Sequence, residues 1–434
     1  MTEHQLGDNS GAQQAPVGLA ELARLADPAV IADPYPLLAS LREASPFAVL
    51  DGGLVVFGRY EDCSAILRDP RASSERERSR LVPRELRERQ ADRTRSFLSL
   101  DPPDHTRLRR LVSKAFTPRV VAMLAPRMTQ ITNDLLPSAA TSGGLELVSL
   151  LAYPLPVRII SGMLGVPEED QSRFAGWSAK LAHSVQPTFG AVDPAELAEI
   201  EQASEEFAEY FTELIAARRV APADDLLTDL IRAEDAGDRL TVEELIATCV
   251  LLLVAGHETT VGLISNAVLA LLRNPGQLAA LVADPDLAPA AVEETLRYDP
   301  PVQMTGRVAT GGMTAGGVTP EDGSVMLLLL AATGRDPAVV ADPDVFDIGR
   351  VASGQRSEHL AFAAGPHFCL GAPLARLEAT TALQAIAERV VNPRLDETGL
   401  VYKSNFNLRG PARMVVTFDE IRPQQASSRE RPLP

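Results

Sequence analysis

The sequence predicts a mainly α-helical protein with small β-sheets around one core, and three observations support this fold class. Apolar residues recur at helical spacing along most of the chain. Strand-like patterns are short and fall at residues 46–58 and 325–330. The 434 residues are 45% hydrophobic and 23% charged, a globular composition that excludes intrinsic disorder, collagen and disulfide-rich miniproteins.

The first element with a clear pattern is a β-hairpin over residues 46–58, where short apolar runs flank Asp51, Gly52 and Gly53. Helices dominate afterwards, because apolar residues recur at i, i+3 and i+4. The main predicted helices cover residues 104–116, 119–136, 194–218, 241–272 and 373–390.

The fourth of these helices is the longest and starts with a capping box, in which Thr241 is the N-cap and Glu244 follows three residues later. About 32 residues at 1.5 Å each give a length of about 48 Å, so this helix is expected to cross the whole domain. Beyond it, residues 301–351 are rich in glycine and proline, and a short strand is predicted at 325–330.

Residues 18–421 are predicted to form a single domain between a disordered leader, residues 1–17, and a flexible tail, residues 422–434. The leader lacks the basic start and apolar stretch of a signal peptide. No apolar run approaches the roughly 20 residues that span a bilayer. We therefore expect a soluble, cytoplasmic protein without a membrane partner.

The net charge and the cysteine content limit which partners and which cellular compartment we expect for the protein. The chain has 41 basic and 58 acidic residues, a net charge of −17, which disfavours nucleic acid as a partner. Its three cysteines are too few and too scattered for a disulfide framework and suit a reducing compartment. A lone intracellular cysteine is most often a small buried apolar residue, which is our interpretation of Cys63 and Cys249.

Cys369 has a different context. Gly365 and Pro366 predict a turn before it, and a helix opens after Gly371. Backbone N–H groups and a helix N-terminus both stabilise a thiolate. Because no other cysteine is close in sequence, zinc and iron–sulfur sites lack ligands, and a single axial thiolate indicates haem.

This loop resembles the haem-ligand loop of cytochrome P450 monooxygenases, whose pattern is Phe-Gly/Ser-x-Gly-x-His/Arg-x-Cys-x-Gly. The resemblance implies the single-domain cytochrome P450 fold, with a long central helix over the haem. It also implies that Cys369 ligates the iron and that Phe362, Gly365 and Gly371 belong to the haem-binding loop. The chain departs from the pattern at Ala363, where we expect alanine to be tolerated with a slightly shifted loop.

The resemblance extends to a fold-assembly motif. Glu294 and Arg297 are spaced i, i+3 on a predicted helix, which alone would predict a surface ion pair of under about 1 kcal/mol. In the family this Glu-x-x-Arg pair is buried and completed by a later arginine, which Arg350 matches.

Polar residues interrupt the middle of the apolar long helix. Gly256 costs about 1 kcal/mol in a helix interior, and Thr259 can bond a preceding carbonyl, so we expect a distorted turn. In the family an acid and an alcohol at the positions of Glu258 and Thr259 bind oxygen and relay protons, and Ala255 and Gly256 border the haem. Adjacent helical side chains diverge by about 100°, so Thr259 is predicted to face the oxygen and Glu258 a water chain.

His105 and Arg109 lie at i, i+4 and therefore share one helix face. Alone they would predict a solvated basic face. The resemblance implies that they hold the haem propionates together with Arg307 and His367, because buried carboxylates need cationic or hydrogen-bonding partners.

We therefore predict a haem-thiolate monooxygenase that carries haem b (iron protoporphyrin IX) and uses O2. Its electrons are expected from a ferredoxin and a ferredoxin reductase. Two alternatives remain: a peroxygenase that uses hydrogen peroxide, a class that generally lacks the acid–alcohol pair, and a haem-binding sensor without turnover.

The substrate is predicted to be small and lipophilic, because the residues expected to line the pocket are apolar. These residues are Val254, Ala255, Val302, Met304 and Phe406, and residues 71–99, crowded with Arg and Glu, are predicted to form a lid over them. A basic stripe that includes Arg110 and Lys114 predicts a docking patch for an acidic ferredoxin.

Overall fold

Helices and four small sheets make up the described part of the chain, which confirms the predicted fold class. The structure is a computed structural model that describes residues 18–423 apart from 85–86, 88–93, 140–143, 183–193, 236–237 and 355–356. The predicted leader, residues 1–17, lies outside the described residues. Arg422, the first residue of the predicted tail, is hydrogen bonded to Arg389 through both its backbone N–H and its carbonyl.

The helices, numbered in chain order, have the following bounds. They are α1 Leu19–Ala23, α2 Pro28–Ala32, α3 Tyr35–Ala44, α4 Tyr60–Arg68, α5 Asp104–Ser113, α6 Pro118–Met123, α7 Ala125–Ala139, α8 Pro154–Met163, α9 Gln171–Ala182, α10 Pro194–Val220, α11 Leu226–Arg232, α12 Val242–Arg273, α13 Pro275–Ala283, α14 Ala288–Tyr298, α15 Leu330–Thr333, α16 Gly349–Ala352 and α17 Ala372–Arg389. A π-helical turn, Val148–Ala152, leads into α8.

The strands form one larger sheet and three smaller ones among the described residues. The five-stranded sheet has the order β1-β2-β8-β7-β3, and β10, β11 and β4 form a three-stranded sheet; β9 pairs with β12 and β5 with β6. The strands are β1 Phe47–Val49, β2 Leu54–Phe57, β3 Ala72–Ser73, β4 Gly144–Glu146, β5 Glu234–Asp235, β6 Asp238–Arg239, β7 Thr305–Ala309, β8 Val325–Leu328, β9 Val390–Val391, β10 Arg394–Tyr402, β11 Pro411–Thr417 and β12 Glu420–Ile421.

The predicted hairpin and long helix are confirmed. β1 and β2 pair antiparallel, with Phe47 opposite Val56. The central helix α12 has the predicted capping box, because the Thr241 hydroxyl accepts from the Glu244 amide and the Glu244 carboxylate accepts from the Thr241 amide. By length and hydropathy α12 could cross a membrane, but 61% of its most apolar window is buried inside the fold, as befits a core helix.

Two predicted elements are corrected. The helix predicted at 119–136 is divided into α6 and α7 at Leu124. Pro126 explains the break, since proline has no amide to continue the first helix and is tolerated in the first turn of the second. The strand predicted at 325–330 ends at Leu328, and α15 starts at Leu330.

The predicted single core consists of one large cluster and two smaller ones. The large cluster surrounds α12 and contains apolar residues of α7 to α11 and α17. The two smaller clusters pack on opposite sides of the five-stranded sheet, one containing Val56 and Leu327 and the other Phe57 and Met326. Neighbouring residues of a strand point to opposite faces, so the same strands supply both clusters.

The predicted Glu294–Arg297 pair is buried, with neither side chain exposed. Two guanidinium nitrogens donate to the two carboxylate oxygens at 2.8 and 2.7 Å. Arg297 also donates to the carbonyls of Gly334, Pro343 and Val345. Arg350 completes the group, with its Nε 3.7 Å from a Glu294 oxygen. This group ties α14 to the chain that follows α15. Breaking a buried ion pair of this kind costs about 3–5 kcal/mol.

A second buried acid, Glu378 of α17, forms no ion pair with a described residue. Its side chain is 1% exposed and hydrogen bonded to Thr260 of α12. The second carboxyl oxygen has no hydrogen-bond partner among the described residues. Burial raises the pKa of Glu378 to about 8, so this side chain is a neutral acid in the folded protein at neutral pH.

Replacing Glu378 by glutamine should therefore change how stability depends on pH. In the unfolded chain Glu378 ionises near its ordinary value of 4.5, whereas in the folded chain it stays protonated up to about pH 8. Its contribution to stability is thus complete below pH 4.5 and is lost as the pH rises to 8. Relative to Glu378→Gln, the wild-type free energy of unfolding should fall by about 2 kcal/mol or more between pH 5 and pH 8. Parallel pH profiles from denaturant unfolding of the two proteins would contradict this.

Candidate active site

A tight loop presents Cys369 at the start of α17. Gly365 begins a 3-10 turn with φ +67°, and a Cβ on it would lie 2.3 Å from the carbonyl oxygen of Leu67. Only glycine fits there, both for its backbone angle and for its size. The amide of Cys369 donates to the carbonyl of Phe362 at 3.0 Å, which closes the loop. Gly371 is the N-cap of α17.

The surroundings of the Cys369 sulfur favour its thiolate form in every respect except burial. Burial raises the pKa of Cys369, while hydrogen bonds from the amides of Gly371 and Ala372 and the charges of Arg109 and Arg376 lower it. These are the backbone N–H groups and helix N-terminus that the sequence predicted near the sulfur. Burial is the largest of these effects and leaves the pKa of the thiol raised, and the role of Cys369 as the iron ligand stays a prediction.

The other two cysteines lie in different surroundings. Cys63 and Cys249 are completely buried, and burial raises the pKa of each. The thiol of Cys63 donates to the carbonyl of Phe57. All three cysteines are free thiols. In the described residues, no three histidine, cysteine or acidic side chains come together as a metal site.

The loop is clamped from the side by an ion cluster that the sequence did not predict. Glu293 of α14 accepts hydrogen bonds from His359 and from Arg376, whose guanidinium lies 4.6 Å from the ring centre of Phe362. Burial alone would raise the pKa of Glu293, but these two hydrogen bonds outweigh it and lower the pKa to about 2. The carboxylate is thus a fixed anion that orients Arg376 toward the loop.

The structure brings together the four predicted propionate ligands. The rings of His105 and His367 are 4.1 Å apart, and Arg109 donates to the carbonyl of Phe368. Burial and the nearby Arg307, His105 and Arg109 lower the pKa of His367 to about 3, so its imidazole is neutral. Burial, with help from Arg109, also lowers the pKa of His105.

Haem fits this cluster because the cluster contains cations and hydrogen-bond donors that lack enough anionic or acceptor partners. Both ring nitrogens of His105 are buried without a hydrogen-bond partner among the described residues. The carboxylate that faces the cluster, Asp101, is itself bound by Ser73 and by the amide of Ser74. Buried donors and cations need anionic partners, and the two propionates of a haem would supply them.

Arg76 is a further member of this cluster that sequence reasoning missed. Burial and the charge of Arg76 lower the pKa of Arg307 to about 10, with Asp101 acting in the opposite direction. Nothing in the sequence marks Arg76, because it is one of many charged residues in the predicted lid, 71–99.

The described parts of that predicted lid are held by ion pairs rather than free. Arg78 pairs with Glu75 at 2.7 Å and Arg95 with Glu77 at 3.1 Å. Arg80 pairs with Glu321, which follows β7 in the chain. Most of residues 85–93 lie outside the described residues.

The central helix presents an open face at the predicted oxygen-binding turn. Ala255 is exposed and Thr259, one turn later, is partly exposed, although the helix on either side is buried. The Thr259 hydroxyl donates to the carbonyl of Ala255 at 2.7 Å, and Thr260 donates to that of Gly256 at 3.0 Å. The helix is continuous through this turn, so the predicted distortion of the turn is wrong, although Thr259 does bond a preceding carbonyl as predicted.

Glu258 and Thr259 diverge, as the helical geometry requires. Thr259 lies on the open face, whereas Glu258 forms an ion pair with Lys403, in the loop between β10 and β11. His257 is buried against Tyr153, with ring centres 4.5 Å apart. Burial lowers the pKa of His257 to about 4, so it is neutral at physiological pH. Sequence reasoning missed Lys403, although lysine is rare in this chain.

The predicted pocket residues do not all meet. Val254 and Ala255 lie on the central helix at the site. Met304, however, is 1% exposed and packs in a core cluster with Tyr35 and Leu38. The structure thus places Met304 in this core cluster, and its place in the pocket stays a prediction. Phe406 packs against the same cluster, and Val302 packs against the third cluster.

Comparisons with known proteins agree with this geometry. A family model described as Cytochrome P450 matches residues 49–389. Cytochrome P450 107B1 of Saccharopolyspora erythraea is 45% identical over 357 residues, which are 80% of this chain and 84% of that protein. The vitamin D(3) 25-hydroxylase of Pseudonocardia autotrophica is 40% identical over 396 residues, 89% of this chain and 94% of that protein. Among solved structures, ligand-free CYP164A2 of Mycobacterium smegmatis matches with a TM-score of 0.84 at 47% identity, over 92% of this chain and 99% of that one.

Replacing Ala363 by glycine should stabilise the protein. Ala363 has φ +56°, the left-handed region, which costs a side-chain-bearing residue about 1–2 kcal/mol. Glycine avoids that cost but loses about 0.5–1 kcal/mol more backbone entropy on folding, so the free energy of unfolding should rise by about 0.5 kcal/mol.

Ala364→Gly is the matched control, because Ala364 is buried with an extended backbone at φ −152° and has no such strain to relieve. It should lower the stability. Both variants can be compared by denaturant unfolding at constant haem content. Equal destabilisation by the two substitutions would contradict strain at Ala363.

Proposed function

The chain belongs to the cytochrome P450 family and is a haem-iron monooxygenase, and from that premise we propose that it hydroxylates or epoxidises a lipophilic substrate with electrons from a ferredoxin. The observation that carries the proposal is the position of Cys369 at the start of α17, where the amides of Gly371 and Ala372 and the charges of Arg109 and Arg376 oppose the rise in its pKa, beside a cluster of unsatisfied donors. The free cysteines support a reducing, cytoplasmic location.

Five side chains would hold the cofactor, which we propose is haem b. The Cys369 sulfur would ligate the iron, and His105, Arg109, Arg307 and His367 would bind the propionates. When bound, the haem supplies the redox chemistry of the net reaction, in which substrate, O2, two electrons and two protons give oxygenated substrate and water. The chain supplies the position of the substrate, the exclusion of water and the protons.

Proton supply is proposed to depend on Thr259 and Glu258. The Thr259 hydroxyl lies on the open face of the central helix and donates to the Ala255 carbonyl, from which it can rotate to donate into the cleft. Glu258 is the adjacent acid that can restore its proton. A positioned hydroxyl backed by an acid delivers protons while keeping bulk water out.

The two residues should therefore have different variant phenotypes. Thr259→Ala should keep oxidising NAD(P)H but release much of the reducing power as hydrogen peroxide, because protons then arrive through unrestrained water. Glu258→Gln should slow turnover itself and enlarge the solvent isotope effect. Product formed and peroxide formed per NAD(P)H decide between these outcomes. Full coupling at normal rate in Thr259→Ala would remove the hydroxyl from the mechanism.

A redox partner is required by a bacterial enzyme of this family, and we propose an acidic ferredoxin, supplied by a ferredoxin reductase. Arg110 of α5 and Lys114, the first residue of the 3-10 turn that follows α5, are both exposed. The preceding residue, Arg109, donates to the carbonyl of Phe368, whose side chain is 42% exposed beside Cys369. A local basic patch on a chain of net charge −17 would steer an acidic partner to the sulfur side of the site.

Charge reversal at this patch tests the partner. Arg110→Glu with Lys114→Glu should slow electron transfer from ferredoxin by about tenfold at low salt and flatten its salt dependence, with substrate affinity unchanged. Arg219→Glu with Arg413→Glu makes the same change of net charge on exposed residues of α10 and β11 and should have little effect. Stopped-flow reduction measures both; unaltered kinetics in the patch variant would exclude docking there.

The reaction class itself is tested by product analysis. Lipophilic compounds that shift the haem absorption band identify candidate substrates. With NAD(P)H, ferredoxin, its reductase and 18O2, the holoenzyme should form many product molecules per haem, each with one labelled oxygen atom. Turnover with hydrogen peroxide alone would instead support the peroxygenase, and binding without product would support a sensor.

A further inference from the structure

The open face of the central helix ends one turn after Thr259. Ala255, Thr259 and Gly262 are spaced i, i+4 and i+7, so they share one face of α12. Ala255 is exposed and Thr259 partly exposed, but Gly262 is buried. A Cβ on Gly262 would lie 3.0 Å from the Pro301 Cβ and 3.1 Å from the Arg409 carbonyl oxygen. Two segments that are distant in sequence therefore close this face and form an end wall of the open cleft.

The end wall consists of residues 299–304, which follow α14, and residues 403–410, which join β10 to β11. Two backbone hydrogen bonds connect these segments, from the Arg409 amide to the Pro301 carbonyl at 2.8 Å and from the Gln303 amide to the Asn407 carbonyl at 2.9 Å. The two segments therefore lie against the central helix as one unit.

The Arg409 side chain anchors the end wall in the protein interior. Its guanidinium group donates to both carboxylate oxygens of Asp299, and the two side chains are 5% and 10% exposed. The same guanidinium donates to the carbonyls of Ile31 and Ala32, at the end of α2, at 3.1 and 3.0 Å. Burial alone would lower the pKa of Arg409, but the charge of Asp299 outweighs it and the pKa is raised. Arg409 is thus a permanent cation whose charge-assisted hydrogen bonds tie both wall segments to the N-terminal helices.

Asp299 is held on its other sides as well. The Tyr35 hydroxyl donates to its carboxylate at 2.6 Å, and the Asn266 side chain donates to its carbonyl at 3.0 Å. The Tyr35 ring is fixed in turn, because the Arg335 guanidinium lies 3.4 Å from its centre and 3.8 Å from that of Tyr298. A cation between two aromatic faces is a favourable arrangement. Asp299 is therefore tied both to α3 and to the central helix.

We propose that Arg409 is a positioning residue that limits the size of the molecules that the cleft accepts, because its ion pair with Asp299 holds the end wall against Gly262. Three residues of an α-helix rise by about 4.5 Å, so the wall stands that far from Thr259 along the helix. The inference rests on the proposed function only in taking the cleft beside Thr259 as the substrate site. It gives Tyr35 a part in substrate selection, although Tyr35 is buried in a separate core cluster.

Two nitrogen ligands of haem iron that differ in bulk test the inference. Imidazole is small, whereas 1-tritylimidazole carries three phenyl rings, so the ratio of their dissociation constants reports the space in the cleft. Asp299→Asn keeps the size of the side chain but removes the charge that holds Arg409. In the holoprotein this variant should bind 1-tritylimidazole about threefold or more tightly than wild type, because the wall can yield, with the imidazole affinity unchanged. Tyr35→Phe, which removes one hydrogen bond to Asp299, should shift the ratio in the same direction by a smaller factor.

Gly262→Ala moves the wall from the other side. The added methyl group would lie 3.0 Å from Pro301, so the wall must shift by a few tenths of an ångström. This variant should also bind 1-tritylimidazole more tightly relative to imidazole. Because Gly262→Ala and Asp299→Asn act on the same contact, their effects on the ratio should be non-additive in the double variant.

Asp225→Asn is the matched control. The Asp225 side chain is 5% exposed and pairs with Arg218, an ion pair that joins α11 to α10 rather than to the end wall. The variant breaks a buried ion pair of the same kind and should lower the temperature of thermal unfolding, but it should keep the wild-type ratio. Thermal unfolding and haem content of every variant show which of them are folded.

The outcomes separate the inference from the function it rests on. Equal ratios in wild type, Tyr35→Phe and Gly262→Ala would overturn the role of the end wall, and these two variants keep every charge if Asp299→Asn fails to fold. A shift in Asp225→Asn as large as that in Asp299→Asn would overturn it as well. If the ratio shifts as expected but the wild-type holoenzyme forms no oxygenated product from any compound that binds in the cleft, the proposed function fails while the inference about the end wall stands.

Discussion

A sulfur atom that is to ligate a metal must lose its proton inside the protein, and burial opposes that loss. Several features around Cys369 oppose the effect of burial. The loop closes through Phe362, Gly365 allows the backbone to pass Leu67, and the first amides of α17 point at the sulfur. Arg109 of α5 and Arg376 of α17 itself add positive charge. These features all favour the thiolate against the cost of desolvation, which still leaves the pKa of the thiol raised.

The rest of the fold keeps those features in place. The Glu294–Arg297 pair ties α14 to the chain after α15 through three hydrogen bonds, which the Arg297 guanidinium donates to the carbonyls of Gly334, Pro343 and Val345. Glu293, the neighbour of Glu294, reaches the Cys369 loop through Arg376. Adjacent acids of one helix therefore serve two purposes, since one assembles the scaffold and the other orients the loop. The central helix is also held in place, in this case by the close packing of the Gly262 and Gly410 backbones.

The sequence was informative where function requires a residue type at a fixed local spacing. The capping box of Thr241 and Glu244 and the i, i+3 pair of Glu294 and Arg297 could be predicted because helical geometry alone brings them together. Contacts between distant segments could not be predicted in this way. Lys403 and Arg76 reach the site only through the tertiary fold, and nothing in their neighbouring residues marks them.

Other differences arise from local alternatives of similar energy. Pro126 breaks a helix whose apolar pattern continues on both sides, a signal present in the sequence but weaker than the periodicity around it. Ala363 occupies a left-handed position usually suited to glycine, so the family pattern identified the position but not its strain.

The central claim is that the Cys369 sulfur, held in this loop, is the haem ligand. The absorption spectrum of the reduced, carbon-monoxide-bound holoprotein tests it most directly, because thiolate ligation shifts the main band to the red. Wild type, Cys63→Ser and Cys249→Ser should show the shifted band, and Cys369→Ser should lose it while it still binds haem. A normal thiolate spectrum in Cys369→Ser would contradict the account.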